Sequence, residues 1–412
     1  MDDRAALVLT GGGARAAYQV GVLWAVRELW GRRAENPFPI LCGTSAGAIN
    51  AVALASHCQH FDQSVRRLAW IWRHFHAHHI YRSDTLSVTK SALAWGGTLL
   101  WGWLLKRGPR SLLDNAPLRA LLNEKVDFAG IGRAIESGAL YAVSATCSGY
   151  ATGESLTFYE AAESVRPWRR AARVGVPTRL NAEHLLASSA IPFVFPAIRI
   201  NREYFGDGSM RQLAPVSPAV HMGATRILVI GAGRAKDETR RSRGDSYPSP
   251  AQIAGHALSS IFLDSLAVDL ERLARINSTV DKIPPQLREE LGIGLKPIET
   301  LAISPSERLD HLAARHFKAL PLPMRVMLRG VGAGSRSGSA VLSYLLFEQS
   351  YTRALIDLGY RDAMMRRAEL IQFLRLDPAT VKASYRPRRS GFGAMTAEQD
   401  AEIESEIGAL SA

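Results

Sequence analysis

Two patterns of apolar residues alternate along the chain. Short continuous apolar runs predict buried β-strands, at 5–10, 38–42, 140–146, 227–231 and 298–303. Stretches with apolar residues every three or four positions predict helices, which fall before residue 30, after residue 46, and at 61–75, 114–137, 183–196, 251–278 and across 308–375. Two units of strand, glycine turn and helix near the start of the chain predict an α/β fold with a largely parallel sheet.

The second of these units, residues 38–56, has a serine at its turn. Gly43 and Gly47 flank Ser45 closely, and glycine tolerates the crowding of a strand that reverses sharply into a helix. Such a turn places the hydroxyl of Ser45 at a helix N-terminus, where backbone N–H groups such as that of Ala46 favour developing negative charge. A flexible loop that happens to contain a serine is the alternative, and the strand and helix on either side favour the nucleophile elbow.

The first unit has a glycine-rich turn, Gly11-Gly12-Gly13, followed by Arg15. Glycines allow close approach of the backbone to a ligand, and Arg15 adds positive charge, so the loop is a candidate oxyanion hole. The competing interpretation is a dinucleotide-binding fingerprint, which expects an acidic residue at the end of the second strand. That strand ends instead in Cys42 and the serine turn, which favours the oxyanion hole.

A serine nucleophile needs a base. A Ser–His–Asp triad would draw on His184, His221 or His256, and none of these histidines lies in an obvious catalytic turn. Asp207 has a glycine on each side, and the pattern of residues 204–209 predicts a constrained turn that presents its carboxylate. Asp207 and the histidines remain alternative bases at this point.

Two further segments carry chemistry of their own. His74, His76, His78 and His79 have helical spacing for a metal, but no neighbouring carboxylate or thiolate in the sequence completes a ligand set, so a polar helix end is expected. The uncharged, tryptophan-rich run 92–105 is too short for a comfortable helical crossing of a bilayer. It suits either a core helix or an interfacial segment that contacts a membrane through tryptophans and flanking cations.

The formal net charge of +12, carried mainly by arginine, indicates an anionic partner. A membrane surface and a nucleic acid both fit the charge, but no aromatic and basic RNA-binding signature accompanies it, so no nucleic acid partner is expected. The cysteines, Cys42, Cys58 and Cys147, are few and lack metal-ligand spacing, which indicates reduced thiols. The N-terminus lacks the pattern of a secretory signal, so a cytoplasmic location is expected, with contact at the inner face of the membrane.

Four motifs occur in order: Gly-Gly-Gly-x-Arg at 11–15, Gly-Thr-Ser-Ala-Gly at 43–47, Ala-Ser-x-x-x-Pro at 187–192 and Asp-Gly at 207–208. Together they resemble the patatin-like phospholipases, and the C-terminal stretch around 343–347 and 358–360 resembles bacterial members. The resemblance implies a three-layer patatin-like α/β fold, with a central, mostly parallel sheet flanked by helices.

The resemblance also implies a Ser–Asp dyad without histidine, in which Ser45 is the nucleophile and Asp207 the base. Gly11, Gly12 and Gly13, with Arg15 and Ala46, would form the oxyanion hole, and Gly43, Gly47, Gly208 and Ser209 would complete the motifs. The chain departs from the family at Ala16, where glycine is usual, and at Ser209, where glycine or alanine is usual. The implied substrate is a phospholipid or other acyl lipid, and no metal or organic cofactor is implied.

The predicted organisation is a catalytic core at 5–231, an exposed charged loop at 232–250, a mostly helical part at 251–385 that completes the same domain, and a flexible tail at 386–412. The predicted function is hydrolysis of lipid acyl esters, of the phospholipase A or lysophospholipase type. Two alternatives stay open: the same dyad acting as an acyltransferase, thioesterase or polyester depolymerase, and a weakly active lipid-binding scaffold.

Overall fold

A computed structural model describes residues 3–31, 33, 35–82, 111–233, 247, 249–330, 332, 339–379, 381 and 405. The tryptophan-rich run 92–105 lies outside the described residues. So do most of the predicted charged loop 232–250 and all of the predicted tail 386–412 except residue 405.

The described residues contain one mixed sheet of ten strands. Along its main path the order is β10-β9-β1-β2-β3-β4-β6-β5, and β8 pairs with both β3 and β7. The strands are β1 Ala5–Leu9, β2 Ile40–Thr44, β3 Ala142–Gly149, β4 Ser155–Ala161, β5 Trp168–Arg170, β6 Arg173–Pro177, β7 Ile198–Ile200, β8 Glu203–Asp207, β9 Arg226–Ile230 and β10 Glu299–Ile303.

The strands β10, β9, β1, β2 and β3 are parallel neighbours, as the strand, turn and helix units predicted. Both faces of β1 are buried, which explains its continuous apolar sequence. Leu7 and Leu9 pack into the larger hydrophobic cluster on one face, while Ala6 and Val8 pack into a second cluster on the other. The two clusters separate the sheet from the helical layers, which confirms the predicted α/β architecture with helices on both sides.

The helices are α1 Ala17–Trp30, α2 Ala46–Ala55, α3 Phe61–Arg73, α4 Ala116–Lys125, α5 Phe128–Glu136, α6 Ala182–Ser188, α7 Ser217–His221, α8 Pro250–Ser259, α9 Ser265–Val280, α10 Pro285–Glu290, α11 Leu309–Arg315, α12 Leu322–Gly330, α13 Ser339–Leu345, α14 Gln349–Met365 and α15 Arg367–Phe373. The long helix predicted at 251–278 is α8 and α9, joined by a π-helical turn, Ser260–Asp264. The helix predicted to begin residues 183–196 and to stop at Pro192 ends earlier, because α6 ends at Ser188.

Two glycines bring the N-terminal and C-terminal parts of the chain together. A Cβ on Gly21 of α1 would lie 2.0 Å from the carbonyl oxygen of Ile356 in α14, and a Cβ on Gly359 would lie 2.1 Å from that of Tyr18. The helices therefore cross in backbone contact, which only residues without a side chain allow. The C-terminal part thus packs directly on the first helix of the catalytic core.

The segment Pro250–Val280 has a mean hydropathy of 1.3 in its most apolar stretch. Among the described residues it alone has both the length and the composition of a helix that could cross a membrane. Its C-terminal half also contacts the sheet, since Leu273 is buried in the second hydrophobic cluster and Asp269 accepts a hydrogen bond from the amide of Val216 at 3.0 Å.

The structure corrects the prediction of a turn at 204–209. Residues Glu203–Asp207 are strand β8, and a single 3₁₀ turn, Gly208–Met210, follows it. The local sequence is glycine-rich and predicts a turn, but β8 pairs antiparallel with both β3 and β7. These long-range pairings override the local preference, and they place Asp207 beside Cys147 of β3.

Candidate active site

Ser45 occupies a strained turn between β2 and α2. Its φ of 56° and ψ of −132° are unusual for a residue with a side chain, as expected for a nucleophile elbow. The flanking glycines are sterically required, because a Cβ on Gly43 would lie 2.4 Å from Cα of Ala48 and one on Gly47 would lie 2.3 Å from the carbonyl oxygen of Leu9. The turn therefore packs tightly against α2 and the end of β1, and holds the serine at the helix N-terminus.

The hydroxyl of Ser45 donates a hydrogen bond of 2.6 Å to Oδ2 of Asp207. The other carboxylate oxygen, Oδ1, accepts from the amide of Ser209 at 2.9 Å, and the amide of Asp207 donates to the carbonyl of Ala190 at 2.9 Å. Asp207 is fully buried. These bonds fix the backbone and the side chain of Asp207, so that Oδ2 faces the hydroxyl of Ser45.

Burial raises the pKa of Asp207 to about 6, and hydrogen bonds from Ser45 and Ser209 limit the rise. Burial has this effect because a charged carboxylate loses more solvation than a neutral carboxyl group. At neutral pH the group is ionised, yet it is far more basic than an ordinary aspartate. Such a carboxylate suits a general base that works near neutrality.

Ser188, at the end of α6, forms a hydrogen bond with the backbone of the candidate nucleophile, Ser45. Its hydroxyl accepts a hydrogen bond from the amide of Ser45 at 2.9 Å and donates one of 2.6 Å to the carbonyl of Thr146 in β3. The side chain is completely buried. Ser188 belongs to the Ala-Ser-x-x-x-Pro motif, but its role is not evident from the sequence, because only the folded chain brings α6 against the elbow.

The glycine loop lies beside Ser45. The hydrogen bonds among the described residues leave the amides of Gly11, Gly12, Gly13 and Ala46 without an acceptor. Gly13, which has a φ of 55°, lines the same cavity as Ser45 and Ala46. Gly13 and Ala46 thus border the cavity that contains Ser45, and unpaired backbone amides are the groups from which an oxyanion hole is built.

The guanidinium of Arg15 points elsewhere. Its Nε donates to the hydroxyl of Ser343 at 2.8 Å, and its Cζ lies 3.9 Å from the centre of the Tyr344 ring. Arg15 lines a different cavity from Ser45. The structure thus differs from the expectation that its charge enters the oxyanion hole, because contacts with α13 hold the side chain and tie that helix to the glycine loop.

The two departures from the family motifs fit into the packing. Ala16 is fully buried, and its carbonyl accepts a hydrogen bond from Nδ2 of Asn50 at 3.3 Å, so the extra methyl group is accommodated. The hydroxyl of Ser209 lies against Gly11, where a Cβ would be only 2.4 Å away. Ser209 therefore contacts both the carboxylate of Asp207 and the glycine loop.

An apolar cavity extends from Ser45. Helices α2, α3 and α4 supply most of its wall, and the side chains that line it are mostly apolar. They are Ile49, Ala53, Leu68, Ile71, Trp72, Leu118, Leu121, Leu122 and Val126, with Phe75, Ile80, Ile191, Phe195 and Phe347 from neighbouring segments. This wall offers burial for a hydrocarbon chain and almost no polar partner.

The candidate triad histidines lie in other parts of the fold. His184 caps α6 and bonds Asn181 through Nδ1 at 2.8 Å, while the ring of His221 stacks on Trp168 at 5.0 Å. His256 is exposed on α8. None of the three lines the Ser45 cavity.

The histidine-rich stretch forms a 3₁₀ turn, Ala77–His79, beside the cavity wall. His76 pairs with Glu348, with Nδ1 and Oε2 3.0 Å apart, so folding brings a carboxylate that the local sequence lacks. The described part of the chain contains no group of three or more His, Cys, Asp and Glu side chains placed to hold a metal ion. The cysteines, Cys42, Cys58 and Cys147, are free and buried.

The site residues can now be set beside known proteins. No curated protein sequence matches the chain significantly. Among solved structures, VipD from Legionella pneumophila is similar, with 12% sequence identity and a TM-score of 0.33, over 91% of this chain and 67% of that chain. A family model described as patatin-like phospholipase matches residues 7–220, a range that includes the glycine loop, Ser45 and Asp207. The matched range exceeds half of the sequence, and the chain belongs to the patatin-like phospholipase family.

Proposed function

We propose that this protein hydrolyses acyl esters of lipids with Ser45 as the nucleophile and Asp207 as its base. Family membership supports lipid acyl hydrolase activity in general. The observation that carries the specific proposal is the 2.6 Å hydrogen bond from Ser45 to Asp207 beside an apolar cavity. The nucleophile is thus hydrogen-bonded to its base and also lines a cavity that suits a hydrocarbon chain.

In the first step, Oγ of Ser45 attacks the ester carbonyl carbon while its proton passes to Oδ2 of Asp207. The carbonyl π electrons move onto oxygen, and the unpaired amides of the glycine loop and Ala46 hold the resulting oxyanion. When the tetrahedral intermediate collapses, the C–O bond to the alcohol breaks. Asp207 returns the proton to the departing alkoxide, and an acyl group remains on Ser45.

In the second step, water replaces the alcohol. Asp207 removes a proton from the water as its oxygen attacks the acyl carbon, and the same amides hold the second oxyanion. Collapse breaks the bond to Oγ, which takes the proton back from Asp207, and a fatty acid leaves. The dyad ends in its starting protonation state, so the cycle needs no other proton carrier.

The cavity favours an ester with a long hydrocarbon chain. Ile49 and Ala53 follow Ser45 at intervals of about one helical turn along α2, and all three line the cavity. A chain that lies along this face of α2 would run between α3 and α4 and lose its contact with water. Burial of apolar surface contributes roughly 25 cal/mol per Å², so acyl binding would supply much of the affinity.

We propose in addition that the protein acts in the cytoplasm and docks reversibly on the inner face of a membrane. The composition of residues 92–105 supports membrane contact, and the free, buried cysteines fit a reducing compartment. Changing Trp95, Trp101 and Trp103 together to serine should weaken co-sedimentation with anionic vesicles and spare hydrolysis of a short water-soluble ester. Unchanged vesicle binding, or equal loss on both substrates, would contradict this part of the proposal.

The hydrolase proposal is tested with purified wild-type protein and the Ser45→Ala variant on phospholipid, lysophospholipid, neutral-lipid and acyl-CoA substrates. We expect the wild type to release free fatty acid from lipid esters in water and the variant to release only a trace. Product analysis also separates hydrolysis from acyl transfer, because a transferase would move the acyl group to another acceptor. A folded variant that retains substantial turnover would refute the assignment of Ser45.

A further inference from the structure

A second, open cavity of about 370 Å³ lies at the edge of the sheet opposite Ser45. Tyr141, which precedes β3, and Gly223, which precedes β9, line it. Both positions are at the amino ends of parallel strands, whereas Ser45 follows the carboxyl end of β2. A strand of five residues is roughly 17 Å long, so the two cavities are separate sites.

The wall of this second cavity is a rigid stack of three rings. Trp168 lies between Tyr159 and His221, with ring centres 5.0 Å apart and planes 16° apart on each side. Both faces of the indole are therefore covered by the protein. A ligand has no ring face of Trp168 to stack on, and recognition depends on the charged groups around the opening.

Those charged groups are arginines. Arg166 and Arg170 line the cavity, and Arg170 stands directly opposite Arg173 in the β5–β6 pair. Like charges opposite each other in adjacent strands destabilise the pairing. Among the residues that the structure describes, the ion pairs include none for these three arginines. The carboxylate of Asp269, whose pKa burial raises and the charge of Arg173 lowers in part, accepts a hydrogen bond from the amide of Val216.

Arg169, in contrast, has a carboxylate partner, so the uncompensated positive charge is confined to one face of β5. Arg169 lies between Trp168 and Arg170 in the same strand, so its side chain points to the other face. There it pairs with Glu154, with Nη1 and Oε1 2.9 Å apart. One face of β5 is thus neutralised by a carboxylate, and the face towards the cavity is not.

The pKa of His221 is sensitive to the positive charge of these arginines. Burial, together with the charges of Arg170 and Arg173, lowers this pKa to about 4. The imidazole is therefore neutral at physiological pH, and an anion placed beside the arginines would raise the pKa towards its usual value. A rise in the pKa of His221 can therefore be used to detect anion binding.

We propose that the cavity lined by Arg166, Arg170 and His221 binds a phosphate group. Guanidinium groups bind phosphate through paired, charge-assisted hydrogen bonds, and a dianion between the strands would relieve the repulsion of Arg170 and Arg173. The position at the far edge of the sheet means that this phosphate does not belong to a lipid whose ester bond is at Ser45. The site takes a second phosphate-bearing molecule, either a soluble phosphate ester or the headgroup of a membrane lipid.

The first test follows the imidazole protons of His221 by NMR while inorganic phosphate is added, with sodium chloride at equal ionic strength as the reference. The Arg166→Ser/Arg170→Ser double variant and the matched Arg169→Ser variant are compared with the wild type. We expect a saturable shift and a higher pKa of His221 in the wild type and in Arg169→Ser, and at least tenfold weaker binding in the double variant. A shift no larger than that of chloride, or an equal response in the double variant, would overturn the proposal.

The second test identifies the source of the phosphate. It uses a Ser45→Ala background, so that lipid is not consumed, and compares soluble glycerol phosphate with vesicles that contain phosphatidic acid. Saturable binding of the soluble ester, lost in the double variant, supports a small-molecule ligand. Vesicle co-sedimentation that depends on the same two arginines supports a headgroup ligand. If neither interaction depends on Arg166 and Arg170, the site does not bind phosphate.

Discussion

Ser45 and Asp207 are separated by 162 positions in the sequence, and the hydroxyl of one lies 2.6 Å from the carboxylate of the other. Two neighbours of β3 create this contact. The parallel strand β2 ends at the serine turn, and the antiparallel strand β8 ends at Asp207, opposite Cys147. Because β3 pairs with both strands, the two side chains meet at one edge of the sheet.

The pKa of Asp207 predicts how activity depends on pH. Burial raises this pKa to about 6, and the group must be ionised to accept the proton of Ser45. As pH falls through 6, the base becomes protonated, so kcat/KM should decline and approach a tenfold loss per pH unit well below that value. The measurement is a pH–rate profile on a soluble ester, with circular dichroism as a check on folding. A flat profile between pH 7 and pH 4.5 would contradict the assignment.

Replacing the base without changing its size should remove most of the activity. Asp207→Asn keeps the shape of the side chain but cannot accept a proton, so kcat should fall by about 10³-fold. His184→Gln, His221→Gln and His256→Gln serve as controls, because none of these histidines lines the Ser45 cavity. If any folded histidine variant proves as inactive as Asp207→Asn, a triad has to be reconsidered.

Ser188 is a positioning residue, and its loss should act mainly on kcat. Ser188→Ala removes both the acceptor for the amide of Ser45 and the link to Thr146, which frees the elbow to shift. A displacement of about 1 Å can cost roughly 10²-fold in rate, and we expect a loss approaching that size with little change in KM. Restoring a hydroxyl with Ser188→Thr should recover part of kcat.

The control is Ser137→Ala, which removes a hydroxyl that donates to the carbonyl of Ala134 and accepts from Nε2 of Gln59. None of these three residues lines the Ser45 cavity, so the kinetics should stay unchanged. If Ser188→Ala has wild-type kcat, the hydrogen bonds of Ser188 do not position the nucleophile.

The Ser45 cavity predicts a preference for acyl chain length, and a substitution in the cavity wall should change that preference. Ala53 lies two turns along α2 from Ser45, about 12 Å away, and a larger side chain there would block the cavity at that depth. Ala53→Phe should lower kcat/KM for long-chain esters at least tenfold and leave short-chain esters little affected. Ala254→Phe, at an exposed position on α8, is the matched control. An unchanged chain-length profile in Ala53→Phe would place the acyl chain elsewhere.

The sequence predicted the elements of the site that depend on local structure. Gly43 and Gly47 signal the elbow because both contact backbone too closely for any side chain. The central parallel strands are predictable for a similar reason, since burial on both faces requires continuous apolar runs. The resemblance to the family pointed to Asp207, and the roles of Ser45 and Asp207 stay predictions until they are measured.

Features that depend on long-range pairing could not be predicted. Strands β4 to β8 carry mixed sequences, and β8 was predicted to be a turn because the glycines in and after it mask pairing with two distant strands. The position of Arg15 depends on Ser343, which lies 328 residues away. The second cavity has no sequence motif either, because β5, α7 and the residue before β3 meet there only in the folded chain.

The central claim is that Ser45 is activated by Asp207, and covalent labelling tests it most directly. Wild type, Ser45→Ala and Asp207→Asn are treated with an alkyl fluorophosphonate, and the modified residue is located by peptide mass spectrometry. The account predicts stoichiometric modification of Ser45 in the wild type, none in Ser45→Ala and labelling slowed at least a hundredfold in Asp207→Asn. Modification at a different serine, or labelling of Asp207→Asn at the wild-type rate, would contradict it.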